Sequence, residues 1–130
     1  MSERDAVVSE YVPAGERLTF DRWASALRDG HLLGQACEDC GHVQGVPKAV
    51  CQACTSQWLS GTVLPESGSV FSETTIEVTP EAAPDRYQVA IVDLGETRVL
   101  ARVGAGVEIG DDVTFAGSVE YEGLPGPYFE

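Results

Sequence analysis

Cys37-Glu-Asp-Cys40-Gly41-His-Val-Gln-Gly-Val-Pro47-Lys-Ala-Val-Cys51-Gln-Ala-Cys54 holds all four cysteines of the chain. Two CxxC pairs in one short stretch are the arrangement of a structural, tetrahedral zinc site. Each pair turns two thiolates towards one ion, and the connector is long enough for a hairpin that faces one pair to the other. It is shorter than the roughly 15–20 residues of the generic pattern. Gly41, directly after the first pair, suits the left-handed backbone such turns adopt, whereas Thr55 stands in the matching place after the second. Two disulfides would need an oxidising compartment, which nothing in the chain marks. A redox CxxC needs only one pair beside a βαβ unit. Iron would accept the same four thiolates as zinc. Four sulfurs close the coordination shell, so an ion held by Cys37, Cys40, Cys51 and Cys54 is expected to support structure and not to activate water.

Outward from this stretch the pattern changes twice. Upstream, Phe20, Trp23, Ala24 and Leu27 repeat at helical spacing from Thr19, with Gly30 as the stop. That stripe fits core packing and a partner surface about equally. Residues 1–17 are polar and without period, an arm that is ordered only if something holds it. His31–Ala36 reads as a strand entering the first CxxC, Val43–Val50 as a hairpin, and Trp58 with Leu59 as the cover of its apolar side.

From about residue 61 the period becomes two. Ser69–Val78, with Val70, Ile76 and Val78 on one parity, Tyr87–Leu94, Arg98–Val103 and Asp112–Tyr121 read as strands. Residues 80–84 read as a loop, Gly95-Glu96 as a turn, and Gly123–Glu130 as a short last strand. Short antiparallel strands in this number suit a small closed barrel, which removes exposed edges. The expected fold is mainly β: an N-terminal arm and helix over residues 1–30, a rubredoxin-like zinc ribbon over 31–60 and an OB-fold barrel over 61–130. A small open sheet is the alternative to the barrel.

The 130 residues include 8 Lys and Arg against 21 Asp and Glu, a formal net charge of −13. Affinity for nucleic acid rests on a basic face, which so few cations hardly supply. No apolar run approaches the ~18–20 residues of a membrane span. The N-terminus lacks the pattern of a secretory signal, so a cytoplasmic location is expected. The excess of negative charge, with Lys48 as the single lysine, points to a salty cytoplasm, where screening relieves self-repulsion.

The order of parts, a short aromatic helix, a CxxC…CxxC ribbon and an OB-like barrel, resembles the acyl-CoA-associated zinc-ribbon/OB-fold proteins, long known as a domain of unknown function. The resemblance runs through Phe20-Asp-Arg-Trp-Ala-Ser-Ala-Leu27, Leu32-Leu-Gly-Gln-Ala-Cys37 and both CxxC pairs. It continues through Ser67-Gly-Ser-Val-Phe-Ser72, Tyr87–Leu94 and Ile109-Gly-Asp-Asp-Val113. Thr55, Gly45-Val46 and the short loop from Gly104 to Gly110 depart from the family pattern. The resemblance implies an accessory subunit. Family members bind thiolase-superfamily enzymes, and archaeal forms resemble a bridge between acetoacetyl-CoA thiolase and hydroxymethylglutaryl-CoA synthase at the entry to the mevalonate pathway. Relatives partner lipid-transfer-protein-like thiolases and MaoC-like hydratases in steroid side-chain breakdown.

The residues themselves show no GxSxG elbow, HExxH, P-loop or dinucleotide fingerprint. His31 and His42 beside the first CxxC read as neighbours of the metal ligands or as surface residues and not as bases, and Asp111, Asp112, Glu120 and Glu122 as solvated acids. No catalytic residue is expected, and no cofactor-binding residue is assigned. Arg98 and Arg102 share a strand face near Arg86, and pairing with local acids is the simpler reading than a coenzyme A phosphate site. The expected function is a non-catalytic scaffold in a hetero-oligomer with thiolase-superfamily enzymes, helping to hold or channel an acyl-CoA shared with the partner. Phe20, Trp23, Tyr128 and Phe129 are its candidate anchors. The alternative is a single-stranded nucleic-acid module, against which the charge weighs.

Overall fold

The computed structural model describes residues 3–77, 86–121 and 123–130. Two helices, α1 (Glu3–Tyr11) and α2 (Phe20–Arg28), precede eight strands. A three-stranded antiparallel sheet of order β2-β1-β3 is built from β1 (Leu33–Cys37), β2 (Val43–Gln44) and β3 (Leu59–Val63). The remaining strands, β4 (Ser67–Glu77), β5 (Arg86–Asp93), β6 (Arg98–Val103), β7 (Asp112–Tyr121) and β8 (Leu124–Phe129), close into a barrel of order β4-β5-β6-β8-β7. The architecture is therefore mainly β, with short N-terminal helices, a four-cysteine ribbon and a five-stranded barrel of OB type, as expected.

Local chemistry explains α2. Thr19 caps its N-terminus by accepting from the Arg22 amide, Asp21 lies in the first turn and Arg28 in the last, each of the sign that the helix dipole favours. Gly30, at φ +92°, follows the end. Trp23, Ala24, Ala26 and Leu27 are buried, and Phe20 is exposed on the rim. The stripe therefore serves the core: these residues join Leu32, Leu33 and Leu64 near the ribbon and Val92, Phe115 and Phe129 of the barrel in one cluster. Arg28 reaches across to β7, its Nε 2.6 Å from Glu120 Oε1 and its guanidinium donating to the Gly123 carbonyl at 3.1 Å. Glu120 is thus paired and not merely solvated.

The N-terminal reading needs correction, because residues 3–11 are helical. Val7, Val8 and Tyr11 pack against the same core, with Val12 buried beyond them, and Tyr11 donates to Asp29 Oδ2 at 2.7 Å. Val7 stands four residues before Tyr11 and Val8 four before Val12, and these two one-turn pairs carry the contact in an otherwise polar segment. The first strand starts at Leu33, and only Val43 and Gln44 of Val43–Val50 are strand. Trp58 does not cover the ribbon. It is 67% exposed, and Leu59 alone packs with Cys37 and Cys51.

In the barrel, a register shift between Val70 and Ser72 breaks the parity expected across β4, leaving Val70 buried and Phe71 outside. Val78 and the loop at 80–84 lie outside the described residues. Gly68 backs onto β5 so closely that a Cβ would sit 2.2 Å from the Asp93 carbonyl oxygen. β8 pairs antiparallel with β7 along its length but meets β6 in parallel only at Arg102↔Tyr128 and Val103↔Phe129.

Candidate metal centre

The two CxxC turns repeat one backbone conformation. The Gly41 amide donates to the Cys37 carbonyl at 3.0 Å, and the Thr55 amide to the Cys51 carbonyl at 2.9 Å. Amides inside each turn also point at sulfur: Cys40 N lies 3.4 Å from Cys37 Sγ and Ala53 N 3.3 Å from Cys51 Sγ. Such N–H···S contacts favour thiolate over thiol.

The four sulfurs converge. Cys37 Sγ is 3.6 Å from Cys54 Sγ, Cys40 Sγ is 3.6 Å from Cys51 Sγ, and all four lie within 4.8 Å of one another. A tetrahedral ion with metal–sulfur bonds of about 2.3 Å sets its ligands about 3.8 Å apart, so the cluster has the size of one such shell. Cys37 and Cys51 are buried and Cys40 and Cys54 exposed, so one edge of the cluster meets solvent. All four residues singled out in the sequence thus come together.

Electrostatics agree with a cation at the centre. The Cys40 amide, helped by that of Asp39 and opposed by burial, holds the Cys37 thiol down at about 6. At Cys54 the Ser56 amide favours the thiolate, but the Cys40 sulfur, burial and the other two sulfurs prevail and push the thiol up to about 12. Cys40 is also raised: the His42 amide and Cys54 favour its thiolate, and burial with Cys51 and Cys37 outweighs them. The Cys37 thiolate forms readily whereas Cys40 and Cys54 resist, which is the behaviour of sulfurs crowded together without a shared positive charge.

What holds the second turn against the first was not read from the sequence. Gln35 and Gln44, both buried, form an amide chain through the ribbon. Gln44 Nε2 donates to Gln35 Oε1 at 3.0 Å, the Lys48 amide to the same oxygen at 2.8 Å, and the Gln52 amide to Gln44 Oε1 at 2.9 Å. The connector thereby keeps its place with little strand pairing, and Gln52, inside the second CxxC, is tied to the strand beside the first. Arg17 adds a bond to the Ala49 carbonyl at 2.6 Å. Glutamines at inward-facing positions 35 and 44 were the available signal. The knuckles are further linked by Ser56 Oγ donating to Asp39 Oδ2.

Neither histidine side chain belongs to the sulfur cluster: the His31 ring packs on Tyr11 with centroids 5.7 Å apart, and His42 is exposed. Of the expected anchors, Trp23 and Phe129 are buried in the core and drop out, because a side chain spent inside the molecule cannot dock outside it. Phe20 stays exposed and stacks on Trp23, 5.5 Å between centroids. Arg98 sits 3.5 Å from Asp93 and lies over Phe71, and Arg102 lies over Tyr87.

With this geometry in place, residues 24–58 match the family profile of the ChsH2 rubredoxin-like zinc ribbon domain. A solved structure described as "Ltp2-ChsH2(DUF35) aldolase" superposes with a TM-score of 0.69 at 27% identity, covering 90% of this chain and 96% of that one. A protein of unknown function from the DUF35 family of Sulfolobus solfataricus superposes with a TM-score of 0.61 at 16% identity, covering 87% of each chain, and shares the fold. No curated protein sequence matches significantly. These likenesses bear out the resemblance to the acyl-CoA-associated zinc-ribbon/OB-fold proteins, and with the sulfur geometry they assign the ribbon a structural metal ion. Among the described residues, no helix is long and apolar enough to cross a membrane.

Proposed function

We propose that this chain is a non-catalytic subunit of an acyl-CoA-processing enzyme complex, docking on a thiolase-superfamily enzyme and helping to hold or channel the acyl-CoA that the partner converts. The observation that carries this reading is the end-to-end likeness to the ChsH2(DUF35) structure, whose description joins that domain to Ltp2 in an aldolase. The metal is zinc, held by Cys37, Cys40, Cys51 and Cys54. Four thiolates leave it no open position for water or substrate, so its chemistry is confined to fixing the ribbon. The arm and helix of residues 1–30, the ribbon of 31–60 and the barrel of 61–130 serve as one docking body, located in the cytoplasm. The mevalonate-pathway role, between acetoacetyl-CoA thiolase and hydroxymethylglutaryl-CoA synthase, is the version that suits a salt-adapted acidic protein.

The net charge of −13 weighs against the single-stranded nucleic-acid alternative. Affinity purification of the tagged chain from its own cells at native salt, with mass spectrometry of what accompanies it, tests the reading. A thiolase-superfamily enzyme in near-stoichiometric yield is expected. Recovery of the chain alone, or with RNA, overturns it.

A further inference from the structure

The outer face of β4, β5 and β6 departs from the rest of this acidic surface. Phe71, Leu100 and, across the β6–β8 seam, Leu124 are 49%, 67% and 60% exposed. Ile91, also exposed, is the direct cross-strand neighbour of Leu100 and joins it to β5. Isolated exposed apolar residues are ordinary, whereas a contiguous group marks a contact surface. A groove of about 280 Å³ runs beside Leu100, walled by Val89, Val119, Leu124 and Pro125. It lies where β6 and β8 part after their two paired positions. Pro125 and Pro127 have no amide hydrogen to offer there, so the seam is suited to receiving side chains and not an added strand.

Charge says what those side chains stand among. Two of the chain's 8 cations frame this stripe, against 21 acids overall. The Arg98 guanidinium is 3.8 Å from the centre of the Phe71 ring and that of Arg102 is 4.3 Å from the centre of the Tyr87 ring. A guanidinium laid on a ring keeps its in-plane N–H donors for a carboxylate fork. Arg98 already faces Asp93 at 3.5 Å, an exposed and loose pair that a partner's carboxylate can join or replace. The same stacking covers ring faces on which bases would otherwise lie, which favours a protein over a nucleic acid on this side of the barrel.

We propose that this barrel face is the docking surface for a protein partner that presents aliphatic side chains beside carboxylates, the former entering the β6–β8 groove and the latter meeting Arg98 and Arg102. The inference rests on the subunit reading above and places its enzyme partner on the barrel.

The enzyme subunit recovered and identified with the wild-type chain is purified and titrated calorimetrically with four chains: wild type, Leu100→Glu, the double variant Arg98→Glu/Arg102→Glu, and Val46→Ser on the ribbon connector. Leu100, Arg98 and Val46 are exposed and Arg102 is half-buried, and metal content and melting temperature verify each fold. Leu124→Ser reads the same groove from its other wall should Leu100→Glu melt early. Loss of affinity of about tenfold or more in both face variants, with Val46→Ser unchanged, is expected when a charge is placed on the apolar contact or the two cations are reversed at an interface centre. Equal affinity for all four chains overturns the docking face and leaves the subunit reading standing. An identified protein of another class, lost on the same substitutions, upholds the face and overturns the subunit reading. RNA, or no partner at all with wild type, overturns both.

Discussion

Thr55 occupies at the second knuckle the place that Gly41 occupies at the first. Both amides bond back to the carbonyl of the leading cysteine, and both backbones are left-handed, φ +65° at Thr55 and +80° at Gly41. Thr55 is the one non-glycine with positive φ among the described residues, and its Oγ1 donates to the Cys54 carbonyl at 2.6 Å. The left-handed conformation costs a side-chain-bearing residue about 1–2 kcal/mol, and glycine returns part of that through its greater freedom when unfolded. Thr55→Gly is therefore expected to stabilise the metal-bound protein by up to about 1 kcal/mol, read as a rise in melting temperature with unchanged metal content.

Gln44→Leu should weaken the metal site without touching a ligand. The substitution strips the Gln52 amide and Gln35 of their partner in a buried place, a loss of about 1–3 kcal/mol. Competition with a chromogenic chelator is expected to show metal affinity lower by about tenfold, since 1.4 kcal/mol is one decade. Cobalt substituted for the native ion should keep its tetrahedral thiolate spectrum, because all four sulfurs remain. Unchanged affinity would remove the amide chain from the account of the site.

Metal removal should act regionally. The cluster of Cys37, Cys51 and Leu59 is small and separate from the main core, so apolar packing alone holds the knuckles weakly once the ion is gone. Hydrogen exchange after chelation is expected to accelerate across residues 37–59, while the amides of β5, paired on both sides, stay slow. Uniform acceleration across the barrel would show that the ion supports the whole molecule.

Tyr11 ties stability to alkaline pH. Burial, and then its hydrogen bond and charge contact with Asp29, push its phenol from 10.0 to about 12. Below pH 10 the phenol is neutral in both folded and unfolded chains, and the contribution is fully present. Between pH 10 and 12 the unfolded chain ionises first, so stability falls as pH rises. Tyr11→Phe should melt at a lower temperature at neutral pH and lose less on going from pH 10 to 12.

Salt should raise stability. With 21 acids against 8 cations, screening weakens repulsion more than it weakens the few exposed ion pairs, such as Arg98 with Asp93. The melting temperature is expected to climb as potassium chloride goes from millimolar to molar. A fall would dispose of adaptation to a salty cytoplasm.

The cysteine spacing, the helix stripe and the strand alternation made the metal centre and barrel legible, because each is a local pattern tied to one geometry. What stayed hidden depended on contacts between distant segments. α1 is helical because Val8 and Val12 meet Gly61 of β3 in the fold, not because its own residues alternate regularly. The bulge after Val70 turned the expected parity of β4, and nothing in its alternation marks the shift. Trp58 stood next to a cluster it does not enter, and Phe129 was taken for a surface aromatic though the barrel closes over it. The glutamine chain was missed because an amide reveals its role only when its partners are known.

The amide chain and all four sulfurs lie between Gln35 and Cys54, whereas the barrel cannot close before β8 is made. During synthesis, the segment that captures the ion thus leaves the ribosome well before the last barrel strand. Metal supply then acts on a nascent chain: the ribbon can be loaded early and stand ready as a surface on which α2 and the barrel later assemble.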